Sequence, residues 1–330
     1  MFRYADIRDA LVESVKEKVE GKEIGVAFSG GLDSGLVAAV AEKYAESVHL
    51  YTCGTDDSYD VAKAEYLSGK LGLPWTHVPI SEDTVEDIIR EMIPAAVTAD
   101  PFTVSYEMPL FCVCRAMKEK TVLTGQGADE YFMGCAKFVN CSYEEYEKKR
   151  KSSAERLHRV SVPSEKRIAA SFGKEIVYPY LDEKVISLAE KLDPSELKPE
   201  DMDSRKSVLR EIASDLGYPY IAEMKKKSSQ YGSKSSDLIR KAAKKKGMMF
   251  NEYVSRVYGE VLLEMRSDDV APVEAEIDRT VKTEAEKVLR DLNMTPSEAV
   301  ELFYRRIIAD GSTESVKRYC HRYEESEKNI

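Results

Sequence analysis

The sequence predicts an α/β fold: a doubly wound parallel sheet, then a mainly helical region, then a small C-terminal strand–helix–helix unit. Three observations carry that expectation. Short apolar strands alternate with helix-length segments as far as Gly127. Glycine-rich turns at 29–31 and 125–127 each leave the end of a strand. After residue 268 the pattern changes to one alternating segment followed by two amphipathic ones.

The elements follow in order. Ile7, Leu11, Val15 and Val19 recur at helical spacing over 5–19, and Gly21 ends that helix. Residues 24–28 read as a short buried strand running into Ser29-Gly30-Gly31, with an Ala- and Val-rich helix over 34–46. Further strands are expected at 48–53, 75–80 and 121–123, and helices at 59–71, 84–92 and 106–118. Such alternation implies parallel strands joined by right-handed crossovers. Ligands of such sheets sit at the carboxyl ends of strands, where both glycine turns fall. From about 140 the chain is mainly helical and highly charged, interrupted by Val177-Tyr178-Pro179-Tyr180-Leu181-Asp182. The expected boundaries are a domain over 1–265, a unit over 268–311 and a polar tail over 312–330.

Bulk properties narrow the class of function. A formal charge of −10 argues against nucleic acid as the main partner. No apolar run is long enough to span a bilayer, and the N-terminal residues are charged with no apolar signal core, so a cytoplasmic protein is expected. The 6 cysteines form no Cys-x-x-Cys and the 4 histidines no ligand spacing, which argues against structural zinc; Cys112 and Cys114 read as buried thiols.

The loop at Ser29-Gly30-Gly31-Leu32-Asp33-Ser34 has a specific chemistry. A strand, a Ser-Gly-Gly turn and a helix N-terminus aim several backbone N–H groups at one point, where the helix dipole favours an anion. Ser29 and Ser34 can add hydroxyl donors. Asp33 is out of place in an anion site unless it holds a cation, and Mg²⁺ bridging it to phosphate oxygens would resolve that. Neither the P-loop nor the dinucleotide fingerprint is present.

This segment resembles the signature of the N-type ATP pyrophosphatases, with their adenine nucleotide α-hydrolase-like fold. Three further stretches resemble asparagine synthetases: 122–130, similar to their "LSGEGADE"; Tyr178-Pro179-Tyr180-Leu181-Asp182, similar to "VPFLD"; and Lys206-Ser207-Val208-Leu209-Arg210, similar to "KxxLR". Lys227 opens a segment placed like their lysine loop, and the related β-lactam synthetases share the layout. The resemblance implies that Ser29, Gly30, Gly31, Leu32, Asp33 and Ser34 bind the phosphates of ATP, with Gly125 near the ribose. It implies that Asp33 and Asp129 hold Mg²⁺. A small-molecule carboxylate would attack the α-phosphorus, and ammonia or another amine would displace AMP. Lys227 (with Lys226 as a competitor), Lys206, Gln126 and Asp182 are the implied catalytic residues. By its position alone, Asp182 reads equally as the N-cap of the following helix.

Two departures qualify the implied chemistry. Residue 2 is Phe2 and the first strand opens near residue 24, so no glutaminase domain is expected and the nitrogen source would be free ammonia, another amine or a separate glutaminase partner. The synthetase glutamate of "GEGADE" is Gln126, which carries no charge and accepts no proton, so the second half-reaction is open.

Residues 272–309 resemble ribbon–helix–helix domains of antitoxins and repressors. Val273, Ala275 and Ile277 alternate with Glu274, Glu276 and Asp278 as a half-exposed strand would, and Thr295-Pro296-Ser297-Glu298 is a capping box with proline at the first helical position. Such units pair across a two-fold axis, which implies a homodimer. Three outward carboxylates would repel DNA. The competing functions are adenylation of a tRNA base and an ATP-sensing DNA-binding regulator; no appended RNA-binding motif favours the first, and the acidic strand opposes the second.

Overall fold

The structure, a computed structural model, describes residues 3–96, 100–225, 229–265, 273–291 and 294–310. The chain divides into two compact units, Met1–Val261 and Leu262–Ile330.

The first unit is built on five parallel strands: β1 (Glu23–Ala27), β2 (Ser47–Gly54), β3 (Trp75–Pro79), β4 (Thr121–Leu123) and β5 (Glu175–Val177). Their order is β3-β2-β1-β4-β5. The chain winds outward from β1 to β3, then returns to β4 on the other side of β1. The crevice between the carboxyl ends of β1 and β4 is therefore the switch point of the sheet. Val26 stands opposite Leu123, so the two glycine turns leave the sheet side by side.

The helices before β4 are α1 (Ala5–Val19), α2 (Leu32–Ala41), α3 (Tyr59–Leu71), α4 (Val85–Ala96) and α5 (Pro101–Ala116). Between β4 and β5 run α6 (Ala128–Tyr131), α7 (Tyr143–Arg156) and α8 (Val162–Ser171), the last two joined by a π-helical turn over Leu157–Ser161. After β5 come α9 (Glu183–Glu190), α10 (Pro194–Leu197), α11 (Ser207–Asp215), α12 (Pro219–Ala222), α13 (Ser229–Gly232), α14 (Ser235–Lys245) and α15 (Phe250–Glu264). One helical group packs α2 with α1, α11 and α12; a second packs α5 with α4, α8 and α14. The middle of β1 and the whole of β4 are buried, as expected of parallel strands covered on both faces.

Several elements depart from the sequence expectation for local reasons. α2 stops at Ala41 rather than near 46, because the following backbone bonds to the turn after α1: Gly21 N–H donates to Tyr44 O at 3.3 Å and Glu46 N–H to Lys22 O at 2.9 Å. α5 begins at Pro101, where Asp100 caps it by accepting from Thr103 N–H at 3.0 Å. α4 continues through Pro94 to Ala96. β5 was not expected; it is three residues long and ends in a 3₁₀ turn over Pro179–Leu181.

In the second unit, α16 (Arg279–Asp291) and α17 (Pro296–Asp310) lie in contact. The expected capping box forms: Glu298 N–H donates to Thr295 Oγ1 at 3.3 Å, and Thr295 N–H to Glu298 Oε2 at 2.6 Å. The strand expected over 273–277 does not form. Residues 273–278 are exposed and without regular structure, consistent with an edge that finds no neighbour to bond within one chain. The polar tail lies outside the described residues.

Candidate active site

The loop after β1 is fixed from several sides. Ser29 N–H donates to Ser34 Oγ at 3.3 Å, closing the turn onto the first turn of α2. Gly30 has φ +63, and a Cβ there would run into the backbone of Lys63 and Ala64 in α3. Only glycine satisfies both constraints. Leu32 is buried at the start of α2, and Ser34 is buried beside it. Gly125 approaches so closely that a Cβ would stand 2.9 Å from Asp33 Cβ and from Ser34 N. The two turns therefore pack into one rim of the crevice, which Ser29, Asp33, Ser34, Gly125 and Gln126 line.

Asp33 opens α2 and Asp129 lies in α6, yet both carboxylates contact the ammonium of Lys206. Lys206 is buried, in the left-handed conformation with φ +60, immediately before α11. Arg205 beside it donates to Gly134 O at 3.1 Å, and Arg210 donates to the carbonyls of Ala222 and Met224. The Lys206–Arg210 segment thus serves two ends: one ammonium reaches the crevice while the arginines tie the segment into the fold. Two carboxylates converging beside an anion-cradling loop are donors that suit a divalent cation.

The other wall of the crevice comes from α5 and α8. Tyr106, Glu107 and Glu165 line it together with Gln126. Gln126 Nε2 donates to Glu165 Oε1 at 2.7 Å, and Tyr106 OH donates to Gln126 Oε1 at 3.4 Å. Burial pushes the Glu165 carboxyl up to about 8; a Tyr178 hydrogen bond draws it back, and nearby Glu130 adds to the rise. Burial, and then Glu165, hold the Glu107 carboxyl well above the ordinary carboxylate range. This wall stores protons in buried carboxyls rather than ion pairs.

Residues 6–163 match the asparagine synthase family model. That match spans β1, the loop, β4, the second glycine turn and Asp129. Residues 6–163 form an asparagine synthase domain. A protein of Methanocaldococcus jannaschii assigned as a glutamine-hydrolysing asparagine synthetase is 30% identical over 297 residues, covering 77% of this chain and 54% of the relative. Asparagine synthetase B of Escherichia coli is 26% identical over 263 residues, covering 68% and 47%. The chain thus spans about half the length of the curated relatives it matches. Among solved structures, an NMN synthetase from Francisella tularensis covers 82% of this chain and 99% of its own, with a TM-score of 0.38 and 14% identity.

Around the crevice the structure brings Ser29, Gly30, Gly31, Asp33, Ser34, Gly125, Gln126 and Asp129 of the matched segment together with Lys206, which lies beyond it. Lys226 and Lys227 lie outside the described residues. Asp182 stands apart from the crevice residues. It caps α9, accepting from Lys184 N–H at 3.0 Å, and pairs with Lys18 at 3.1 Å. Burial works against its charge, but Lys18 and the α9 backbone hold its carboxyl below the usual range. It does not line the crevice. Its neighbours serve the site instead: buried Tyr180 donates to Asp33 O at 3.2 Å, Leu181 fills the space a Cβ on Gly127 would need, and Tyr178 meets Glu165.

Asp60, Glu107 and Glu165 were not foreseen. For Glu107 a signal existed: it is the sole charged residue between Asp100 and Arg115, in an otherwise apolar helix. An acid in such a run is expected to be either paired or used. Glu165 sits in an ordinary amphipathic pattern and offered none.

Proposed function

We propose that this chain is an ATP-dependent adenylating ligase of the asparagine synthetase type. The observation that carries the reading is the convergence of Asp33 and Asp129 on Lys206, directly beside the Ser29–Ser34 loop and Gly125, in an asparagine synthase domain. The loop and the first turn of α2 take the triphosphate, with Gly125 close to the ribose. Asp33 and Asp129 would hold Mg²⁺, which neutralises charge on the phosphates. A substrate carboxylate oxygen bonds to the α-phosphorus as the bond to the β-phosphate oxygen breaks, giving an acyl-adenylate and pyrophosphate. An amine nitrogen then attacks the acyl carbon, AMP leaves, and the nitrogen loses a proton. Lys206 meets charge developing on the leaving pyrophosphate in a site partly shielded from water. Lys227 is proposed to join it on the nucleotide. Gln126 positions the second wall through Glu165 and carries no charge of its own; the nucleophile is read as ammonia or another amine. The test is pyrophosphate release by the full chain over a panel of amino acids and other small carboxylates, with and without ammonium. Stimulation by one carboxylate supports the reading; release indifferent to every carboxylate and stimulated by tRNA favours base adenylation instead.

The second unit is proposed to pair two copies. Val273, Ile277, Val281, Val288, Phe303 and Tyr304 are all exposed, which is much apolar surface for so small a unit. In a ribbon–helix–helix arrangement the 273–278 segments of two chains would bond to each other and cover this surface. Sedimentation equilibrium of the full chain against a truncation after residue 265 decides it: a dimer lost on truncation supports pairing through this unit, and a monomeric full chain removes it.

A further inference from the structure

The crevice has a second ammonium on the side facing α3. Among the described residues its lining includes Asp33, Asp60, Glu107, Asp129 and Glu165 and no basic side chain. Two described ammonium groups stand just behind that lining. Lys206 does so between Asp33 and Asp129. Lys63 does so behind Asp60: its side chain is 9% exposed, its Nζ lies 3.4 Å from Asp60 Oδ1, and it sits 4.8 Å from the centre of the Tyr59 ring. Lysine side chains normally reach for water, so burial of this one calls for a reason. Its position supplies one. The glycine turn packs on the backbone of α3 at Lys63 and Ala64, and a Cβ on Gly31 would stand 3.7 Å from the Lys63 ammonium. An anion held by the Gly30–Gly31 backbone is thus within a short side-chain swing of Lys63.

We propose that Lys63 is a triphosphate-binding residue that grips the pyrophosphate end of the nucleotide from the α3 side, opposite Lys206, with Asp60 and Tyr59 orienting it. Charge balance favours this role. Lys206 is already matched by two carboxylates, while a nucleoside triphosphate brings several negative charges; Arg205 and Arg210 are turned to backbone carbonyls. Among the described residues Lys63 offers a further ammonium, on a buried stem beside Gly31. Asp60 is held in turn by α13, since its carboxylate occupies the space a Cβ on Gly232 would need. The inference rests on the nucleotide reading of the loop and assigns the end of the nucleotide that Lys63 meets.

The test is calorimetric titration of the full chain with ATP, inorganic pyrophosphate and AMP, each with Mg²⁺. Lys63→Met should weaken ATP and pyrophosphate by about ten- to hundredfold, the size of a lost charge-assisted contact, while AMP stays within about twofold. Lys63→Arg should recover part of the loss. Because Lys63→Met strands a buried Asp60 and threatens folding, the double variant Asp60→Asn/Lys63→Met removes both charges and should show the same split between ATP and AMP. Wild-type ATP affinity in the double variant, or equal weakening of ATP and AMP in all variants, makes the pair purely structural and overturns the proposal. A wild-type chain that binds neither ATP nor pyrophosphate overturns the nucleotide reading itself, and Lys63 with it.

Discussion

On the loop wall of the crevice, Asp33 and Asp129 meet the ammonium of Lys206, whereas on the helix wall Glu107 and Glu165 meet each other, an amide and phenols. The same chemical group is handled in two ways a few residues apart. On the loop wall, opposite charge is brought in by Lys206, just ahead of α11. On the helix wall, burial raises both carboxyls so that they hold protons near neutral pH. The first arrangement is ready for phosphate and a cation. The second suits a neutral or proton-exchanging group.

The largest expected effect breaks the loop wall. Lys206→Met leaves two carboxylates facing each other with no ammonium. It should cost about 3–5 kcal/mol in urea-denaturation stability, as removal of one partner of a buried ion pair does. Carboxylate-dependent pyrophosphate release should fall by about 10²–10³-fold, the scale seen when a group stabilising transition-state charge is lost. If activity survives while stability falls, Lys206 belongs to the scaffold only. Gly30→Ala comes next. A left-handed alanine costs about 1–2 kcal/mol before the collision with α3 is counted, so melting temperature should fall and ATP binding be lost together.

The helix wall is sharpened by pH. Native Glu165 holds its proton to about 8, while in the unfolded chain it releases it near 4.3. Unfolding therefore releases a proton between those values, and this group's contribution to stability falls as pH rises, levelling off above about 8. Glu165→Gln cannot ionise. Its melting temperature relative to wild type should rise by about 2–4 °C for each kcal/mol gained, more at pH 8.5 than at pH 5. A difference independent of pH would mean that Glu165 is ionised in the fold. The smallest effect is at the cap: Asp182→Ala should cost about 1 kcal/mol and leave pyrophosphate release unchanged.

The same contrast explains what could be read from the sequence. The loop wall is built from short contiguous runs, 29–34 and 124–129, where glycine and aspartate announce their roles. The helix wall is assembled from single residues on α5 and α8, which sequence proximity does not connect; even Gln126, read as the site of a lost charge, acquires its partner Glu165 only in three dimensions. Tyr180 and Leu181 were visible as a motif, but only the structure shows that they brace Asp33 and Gly127 while Asp182 faces away. The helix α1 was legible from its periodicity alone, and α3, α16 and α17 carry polar caps besides. The alternation at 273–277 read as a strand, but the segment has no regular structure, because period-two alternation alone supplies no neighbouring strand to bond.

The proposed cleavage of ATP at the α-phosphorus for a carboxylate is tested by following labelled pyrophosphate into ATP, with Mg²⁺ and pooled amino acids but no added amine. Exchange should depend on a carboxylate substrate and be abolished by Lys206→Met. Formation of ADP and phosphate, or exchange untouched by that substitution, would contradict it.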